Sequence, residues 1–201
     1  MANYNAVKYD GFSKGSLTLI KTLTASSSGT LSFVDGTSSV VLDSTYKEYM
    51  FIFNNIHPGT NQAEFSFNGS IDAGSNYNVA KTTTVFTGEH REDGSGQGLS
   101  YYDGMDLANG TGFQSIARET GDDNDLAASG YLHLFNPSSA TFVKHFIARS
   151  STTYSGSSGA DYAQDMYTAG YLNTTSDIDA VQFKMSSGNI DAGTIQLFGV
   201  A

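Results

Sequence analysis

The chain has 201 residues, 39% hydrophobic and 12% aromatic, enough to bury the core of an all-β domain. Only 15% are charged, and the net charge of −10 argues against binding nucleic acid through its phosphates or docking on an anionic membrane surface. The chain has no cysteine, which excludes a disulfide scaffold, a thiolate metal site and a cysteine nucleophile.

The N-terminal residues predict an arm rather than a targeting sequence. Residues 1–5 lack the basic stretch and apolar run of a signal peptide, and no segment approaches the roughly 20 apolar residues of a membrane span. We therefore expect synthesis in the host cytoplasm and no membrane partner. Residues 1–15 mix polar and aromatic side chains and are expected to become ordered against a partner, whereas residues 16–201 are expected to form one domain.

Alternation of apolar and polar residues predicts β-strands through the first third of the chain. Residues 46–56 are bulky on both faces, which is typical of a central strand. The other predicted strands of this part are residues 16–24, 29–34 and 62–68, the last of which ends in the turn signal Asn68-Gly69.

The last third of the chain repeats this pattern. Residues 130–136 and 141–150 flank a short turn that begins at Pro137, which predicts a hairpin. Residues 160–167 predict one or two helical turns. The remaining predicted strands are residues 169–173, 178–185 and 194–200.

Residues 88–125 are rich in Gly and Asp and show little periodicity. They predict a long loop with a short strand near residues 113–118, packed on a neighbouring subunit or forming an exposed binding surface. Nine or ten strands with turn signals between them predict an all-β fold. The expected architecture is an antiparallel two-sheet sandwich of the jelly-roll type with this long insertion.

The sequence predicts no catalytic residue, no cofactor site and no metal site, and we expect no enzyme. It has no GxSxG nucleophile motif, no HExxH and no phosphate-binding glycine loop. A pair of carboxylates is the chemistry of glycosidases, but sequence cannot measure their separation. The candidate acids are Glu48, Glu64, Glu89, Glu92 and Glu119, and the histidines, expected at turns, solvent faces or cross-strand positions, are His57, His90, His133 and His145.

An acidic run formed by Asp122, Asp123 and Asp125 offers the oxygen ligands that calcium prefers. The spacing lacks the glycine and the distal glutamate of an EF-hand loop. Asp103 and Asp106 are a weaker second candidate. A solvated loop is the expected structure, and calcium binding by the run stays open.

Several tyrosines lie in or near predicted loops, where an exposed ring can stack on a sugar and its hydroxyl can hydrogen-bond. The alternative is that these rings pack at subunit contacts. The tyrosines concerned are Tyr77, Tyr101, Tyr102, Tyr154, Tyr162 and Tyr167.

Three short motifs follow one another in a recognisable order. Residues 44–49 read STYKEY, residues 67–69 read FNG shortly before Asn76-Tyr77, and residues 193–200 read GTIQLFGV. The chain thereby resembles small jelly-roll virion proteins of tailed bacteriophages, many from marine hosts. In that family a Y-K-x-L/Y strand, an F-N-G-D turn and a closing G-x-I-x-L-Y/F-G-I/V strand recur, and Lys144 suits the family's middle hairpin. The chain has Ser70 where the family often has Asp, and Phe198 where Tyr is frequent.

The resemblance implies a non-enzymatic structural protein located in the virion. It implies a homotrimer that decorates the capsid or belongs to the neck, tail or fibre, with capsid or tail components as further partners. The alternative function is a carbohydrate-binding or host-receptor-binding, lectin-like module, with a host surface glycan as partner. The tyrosines and residues 88–125 motivate this alternative.

Overall fold

A computed structural model describes residues 17–154 and 160–201, and the predicted N-terminal arm, residues 1–15, lies outside them. The described residues form twelve β-strands and one short 3-10 helix at Asp103–Met105. The strands are β1 Leu17–Thr24, β2 Leu31–Val34, β3 Glu48–Pro58, β4 Ala63–Ser70, β5 Lys81–Arg91, β6 Gln97–Tyr101, β7 Gln114–Thr120, β8 Ala128–Phe135, β9 Lys144–Tyr154, β10 Tyr162–Leu172, β11 Ala180–Met185 and β12 Ile190–Val200.

The strands form two antiparallel sheets that pack as a sandwich, as predicted. The larger sheet has the order β1-β12-β3-β8-β9-β10-β5-β6, and the smaller has the order β2-β11-β4-β7. The quartets β1-β12-β3-β8 and β2-β11-β4-β7 together have the strand order of an eight-stranded jelly roll. The strands β5, β6, β9 and β10 are insertions into that order, and they extend the larger sheet beyond β8.

Aromatic rings fill the space between the sheets. Phe183 of β11 lies at the centre of this core, with ring centroids 5.4 Å from Phe51 and 5.6 Å from Phe65. Phe33 and Phe67 pack around the same ring at 6.2 and 6.4 Å. All five side chains are at most 1% exposed, so each contributes a large buried apolar area to stability.

Most predicted strands are confirmed, and the central strand predicted from residues 46–56 is β3, between β12 and β8. The predicted hairpin is confirmed by the antiparallel pairing of β8 with β9. The helical turns predicted for residues 160–167 are wrong, because residues 162–167 belong to β10. Its inward positions include Gln164 and Thr168, so hydrophobicity alone does not reveal the strand period.

The prediction of a long loop at residues 88–125 is partly wrong. The segment contains the end of β5, all of β6 and all of β7, of which only β7 matches the predicted short strand. Threonine occupies both faces of β5, which removes the apolar alternation that marks a strand. The turn predicted at Asn68-Gly69 is also wrong, since both residues lie within β4. None of the described segments forms a helix with the length and hydrophobicity of a membrane span.

Candidate functional site

One row of side chains crosses the outer face of the larger sheet. The strand register places Tyr101, Phe86, Tyr167, Arg149 and Tyr131 side by side on β6, β5, β10, β9 and β8. The rings of Phe86 and Tyr167 stack with centroids 4.8 Å apart, and the guanidinium of Arg149 lies 4.6 Å from the Tyr167 centroid. We call these five residues the aromatic row. Both faces of Tyr167 are covered by its neighbours in the row.

Charged side chains on this outer face occur in pairs. Arg149 donates from Nε and Nη2 to the two carboxylate oxygens of Asp165, at 2.9 and 2.8 Å. The hydrogen bonds that Arg149 donates to Asp165 raise the pKa of Arg149 further above its ordinary value. His133 Nε2 lies 2.9 Å from Glu48 Oε2. The pair with Arg149 therefore offsets the negative charge of Asp165 on this face of a chain whose net charge is −10.

An apolar groove of about 450 Å³ lies beside the aromatic row on the same face. Phe135, Ile147 and Tyr171 line it together with Ala169 and the backbone of Gly170, and the small side chain of Ala169 leaves the space open. A Cβ at position 170 would lie 2.5 Å from the Thr82 carbonyl oxygen, so only glycine fits there. The exposed apolar side chains of the face include Ile147 at 45%, Phe86 at 40% and Tyr131 at 37%. Such a patch is typical of a surface that binds a partner.

A second unusual region lies on the inner face of the same sheet. There the register aligns Glu89, Gln164 and Thr152 on β5, β10 and β9. Two positions further along the strands, the next row of inward-facing side chains contains Thr87 and Ser150. Thr87, Ser150, Thr152 and Gln164 are nearly fully buried. This end of the sandwich is therefore polar, in contrast to the aromatic core around β3, β4 and β11.

Arg118 reaches this polar region from β7. Its Nη2 lies 2.6 Å from Glu119 Oε2, its Nη1 lies 3.8 Å from Glu89 Oε2, and its guanidinium packs 4.2 Å from the ring centroid of Tyr102. Burial raises the pKa of Glu64, which faces the charges of Glu119 and Arg118. The structure thus brings three of the five candidate acids, Glu64, Glu89 and Glu119, to a single arginine.

Two stacked tyrosines lie at the end of the same region. The rings of Tyr154 and Tyr162 are 4.6 Å apart and nearly parallel, and the guanidinium of Arg91 lies 5.5 Å from the Tyr162 centroid. Burial raises the pKa of Tyr154 to about 12, with the charge of Glu89 adding to the effect. We call Thr87, Glu89, Arg118, Ser150, Thr152, Gln164 and this tyrosine pair the polar end cluster.

The polar end cluster contains buried groups that protein hydrogen bonds do not satisfy. Within residues 17–154 and 160–201, no hydrogen-bond partner is present for either polar atom of the Gln164 side chain or for the hydroxyls of Thr87, Ser150 and Thr152. Arg118 Nε lacks one in the same set of residues. Because native proteins rarely leave buried polar atoms unpaired, so many in one place indicate a partner beyond the described residues, such as water or a ligand.

The acidic run predicted as a possible calcium site is solvent-exposed at Asp122, Asp123 and Asp125. A polar groove of about 400 Å³ adjoins it, lined in part by His57, Asp125 and Asp191. The part of the chain that the structure describes contains no group of three His, Cys, Asp or Glu residues placed to hold a metal ion.

The histidines lie apart from one another in the fold. His57 is near the end of β3, where its Nε2 lies 3.2 Å from the carbonyl oxygen of Asp123. His90 and His145 are exposed, and His133 lies beside Glu48 on the outer face. The solvent-face or cross-strand positions predicted for His133 and His145 are thereby confirmed.

Two fully buried lysines, Lys81 and Lys144, lie at the other end of β5, β9 and β10 from the polar end cluster. The strand register places them on either side of Leu172. Lys81 Nζ donates to Asn68 Oδ1 at 2.7 Å and to the Val79 carbonyl at 2.8 Å. Burial lowers the pKa of Lys81 to about 7. Lys144 Nζ donates to the carbonyls of Phe142 and Thr174, and burial lowers its pKa also. Sequence reasoning missed the burial of Lys81, because a lysine at the start of a threonine-rich segment is ordinarily exposed.

Comparison of the chain with protein-family models, with curated proteins and with solved structures finds no match.

Proposed function

We propose that the chain is a non-enzymatic structural protein of a tailed-phage particle that self-assembles through the outer face of the larger sheet. The exposed aromatic row and its apolar groove are the observation that carries this proposal. The jelly-roll strand order and the three motifs that resemble phage virion proteins support it.

The proposed occupant of the outer face is a second copy of the chain. A net charge of −10 makes copies repel one another wherever unpaired carboxylates meet. On the outer face the carboxylate of Asp165 is paired with the guanidinium of Arg149, so two copies can approach there at lower electrostatic cost. Burying Phe86, Tyr131 and Ile147 between copies then contributes hydrophobic stabilisation.

The edges of the larger sheet favour the same conclusion. The edge strand β6 is exposed along its whole length, with Leu99 at 78% and Tyr101 at 63%. The opposite edge strand, β1, exposes Leu17 and Leu19. Exposed edge strands with apolar side chains promote association between chains. In a closed oligomer these edges are buried in specific contacts between copies. We propose a homotrimer that binds capsid, neck, tail or fibre proteins of the particle.

The proposed assembly is tested by placing a charge on the outer face. Ile147→Asp introduces an unpaired carboxylate into the apolar groove, and Ser95→Asp adds the same charge in the exposed turn that follows β5. Sedimentation velocity is expected to show that Ile147→Asp dissociates the oligomer while Ser95→Asp leaves it assembled. An oligomer that survives Ile147→Asp would contradict the assigned face.

The proposed location requires a separate test. Proteomic mass spectrometry of phage particles purified from cells that encode the chain is expected to find it at the abundance of other structural proteins. Its absence from intact particles, with the protein present in the lysate, would overturn the virion assignment. The proposal that the outer face is an assembly surface would be unaffected by that result.

A further inference from the structure

The polar end cluster differs from the buried polar groups around Gln114 and Asn68. Thr83 and Gln114 are also buried between the sheets, but Thr83 Oγ1 donates to Gln114 Oε1 at 2.7 Å, and Gln114 Nε2 donates to the Ser115 carbonyl at 2.9 Å. Asn68 likewise donates to carbonyls of neighbouring loops. The side chains of Thr83, Gln114 and Asn68 are thus hydrogen-bonded within the protein, whereas those of Gln164 and Thr152 have no partner among the described residues, which points to a ligand.

The unpaired atoms define the chemistry of that ligand. Gln164 offers two amide hydrogens and a carbonyl oxygen, and the hydroxyls of Thr87, Ser150 and Thr152 each donate and accept. A molecule with several hydroxyl groups matches this mixture, because each hydroxyl can also donate and accept. A purely apolar ligand would leave every one of these groups unpaired, at a cost of about 1–3 kcal/mol for each.

The charges at the cluster favour a neutral ligand. The positive charge of Arg118 is already engaged by Glu119 and lies 3.8 Å from Glu89, so no excess positive charge is present there to bind an anion. Among the described residues, no set of acidic or histidine ligands is placed for a metal cation.

Aromatic and polar groups together are the components of a sugar site. Tyr154, Tyr162 and Tyr102 are partly exposed at this end of the sandwich, whereas Gln164 and Thr152 lie deeper on the same inner face. We propose that the polar end cluster binds one residue of a neutral saccharide, with the hydroxyls of the sugar hydrogen-bonded to Gln164, Thr152 and the neighbouring side chains. The site lies on the face of β5, β9 and β10 opposite to the assembly surface. The saccharide site and the assembly surface can therefore be tested independently of each other.

The test uses ligand-observed saturation-transfer NMR on the full chain. The probes are glucose, galactose, mannose and N-acetylglucosamine, each at millimolar concentration. Gln164→Leu removes the buried amide, and Gln196→Leu makes the same substitution on the outer face of β12. Binding of at least one sugar is expected for the unmodified chain and for Gln196→Leu. Binding to Gln164→Leu is expected to be at least about tenfold weaker, because a tenfold change corresponds to the loss of roughly one hydrogen-bonding group.

Two results would overturn the proposal: no signal from any of the four sugars, or an equal signal with Gln164→Leu. The first result, together with a higher melting temperature for Gln164→Leu, would mean that the cluster holds only water. Circular dichroism checks the fold of each variant. If Gln164→Leu does not fold, Thr152→Val removes one buried hydroxyl with little change of shape, and the same two results decide.

Discussion

The ring of Tyr46 packs against the backbone of Gly199 so closely that a Cβ at position 199 would lie 2.4 Å from Tyr46 Cδ2. Tyr46 belongs to the motif at residues 44–49, and Gly199 belongs to the motif at residues 193–200. The ring is held from another side by Tyr49, with centroids 5.7 Å apart at 84°. Two motifs that are distant in sequence therefore form one contact, which explains why glycine is required at position 199.

Gly199→Ala is expected to destabilise the fold by about 1–3 kcal/mol, the usual cost of overpacking a filled site. Urea denaturation followed by circular dichroism measures the change. Gly98→Ala is the control, because a Cβ at position 98 meets no atom within 4 Å. The cost of Gly199→Ala should shrink in a Tyr46→Ala background, and equal costs in both backgrounds would show that the ring is not the cause.

The architecture could be predicted from the sequence where apolar residues alternate, as in β3 and β8. Prediction failed where polar residues face inward. Thr83 and Thr87 in β5 and Gln164 in β10 occupy buried positions, and a polar residue at a buried position erases the period on which strand prediction depends. For this reason β5 was missed and the first half of β10 was misassigned, whereas β6 was missed because it is exposed on both faces and has no burial period.

Stability is expected to rise with pH between pH 7 and about 9.5 because of Lys81. Its pKa is lowered from 10.5 to about 7 in the folded chain, so the unfolded chain binds more protons over this range. The free energy of unfolding should increase by up to about 1.4 kcal/mol per pH unit. Lys81→Met should flatten this dependence, whereas Lys47→Met, at an exposed position, should not. An unchanged slope in Lys81→Met would contradict the assignment.

Phe183→Ala is expected to cost about 3–5 kcal/mol, because it removes the ring that contacts four other phenylalanines at the centre of the core. Phe142→Ala, at a side chain 69% exposed, is expected to change stability by less than about 0.5 kcal/mol. Chemical denaturation of both variants measures the difference. Similar losses of unfolding free energy in the two variants would contradict the central position of Phe183 in the core.

Arg149→Ala is expected to weaken assembly, because it leaves Asp165 as an unpaired carboxylate on the outer face. The double variant Arg149→Ala with Asp165→Ala removes both charges and should regain part of the lost association. Sedimentation equilibrium of the single and double variants measures the two association constants. A double variant that associates no better than Arg149→Ala would show that the pair itself, rather than the neutrality of the face, stabilises the contact.

Chelation by EDTA is expected to leave the melting temperature unchanged. Asp122, Asp123 and Asp125 are exposed, and the described residues contain no three-ligand group for a cation. Differential scanning fluorimetry with EDTA and then with excess calcium measures the effect. A rise in melting temperature with calcium that disappears in Asp123→Asn would restore the calcium hypothesis for this run.

The candidate sites were less predictable than the fold. Tyr101 and Tyr167 were recognised as possible contact residues, but only the strand register shows that they share a row with Phe86 and Arg149. Gln164 could not be recognised at all, because its segment was predicted to be helical. Sites formed between strands depend on long-range pairing, which local sequence patterns do not encode.

The solution mass of the purified chain, measured by light scattering over a range of concentrations, tests self-assembly most directly. We expect a mass three times that of the 21.4 kDa chain, unaffected by EDTA. A mass of 21.4 kDa at every concentration would contradict the proposal that the outer face of the larger sheet is an assembly surface.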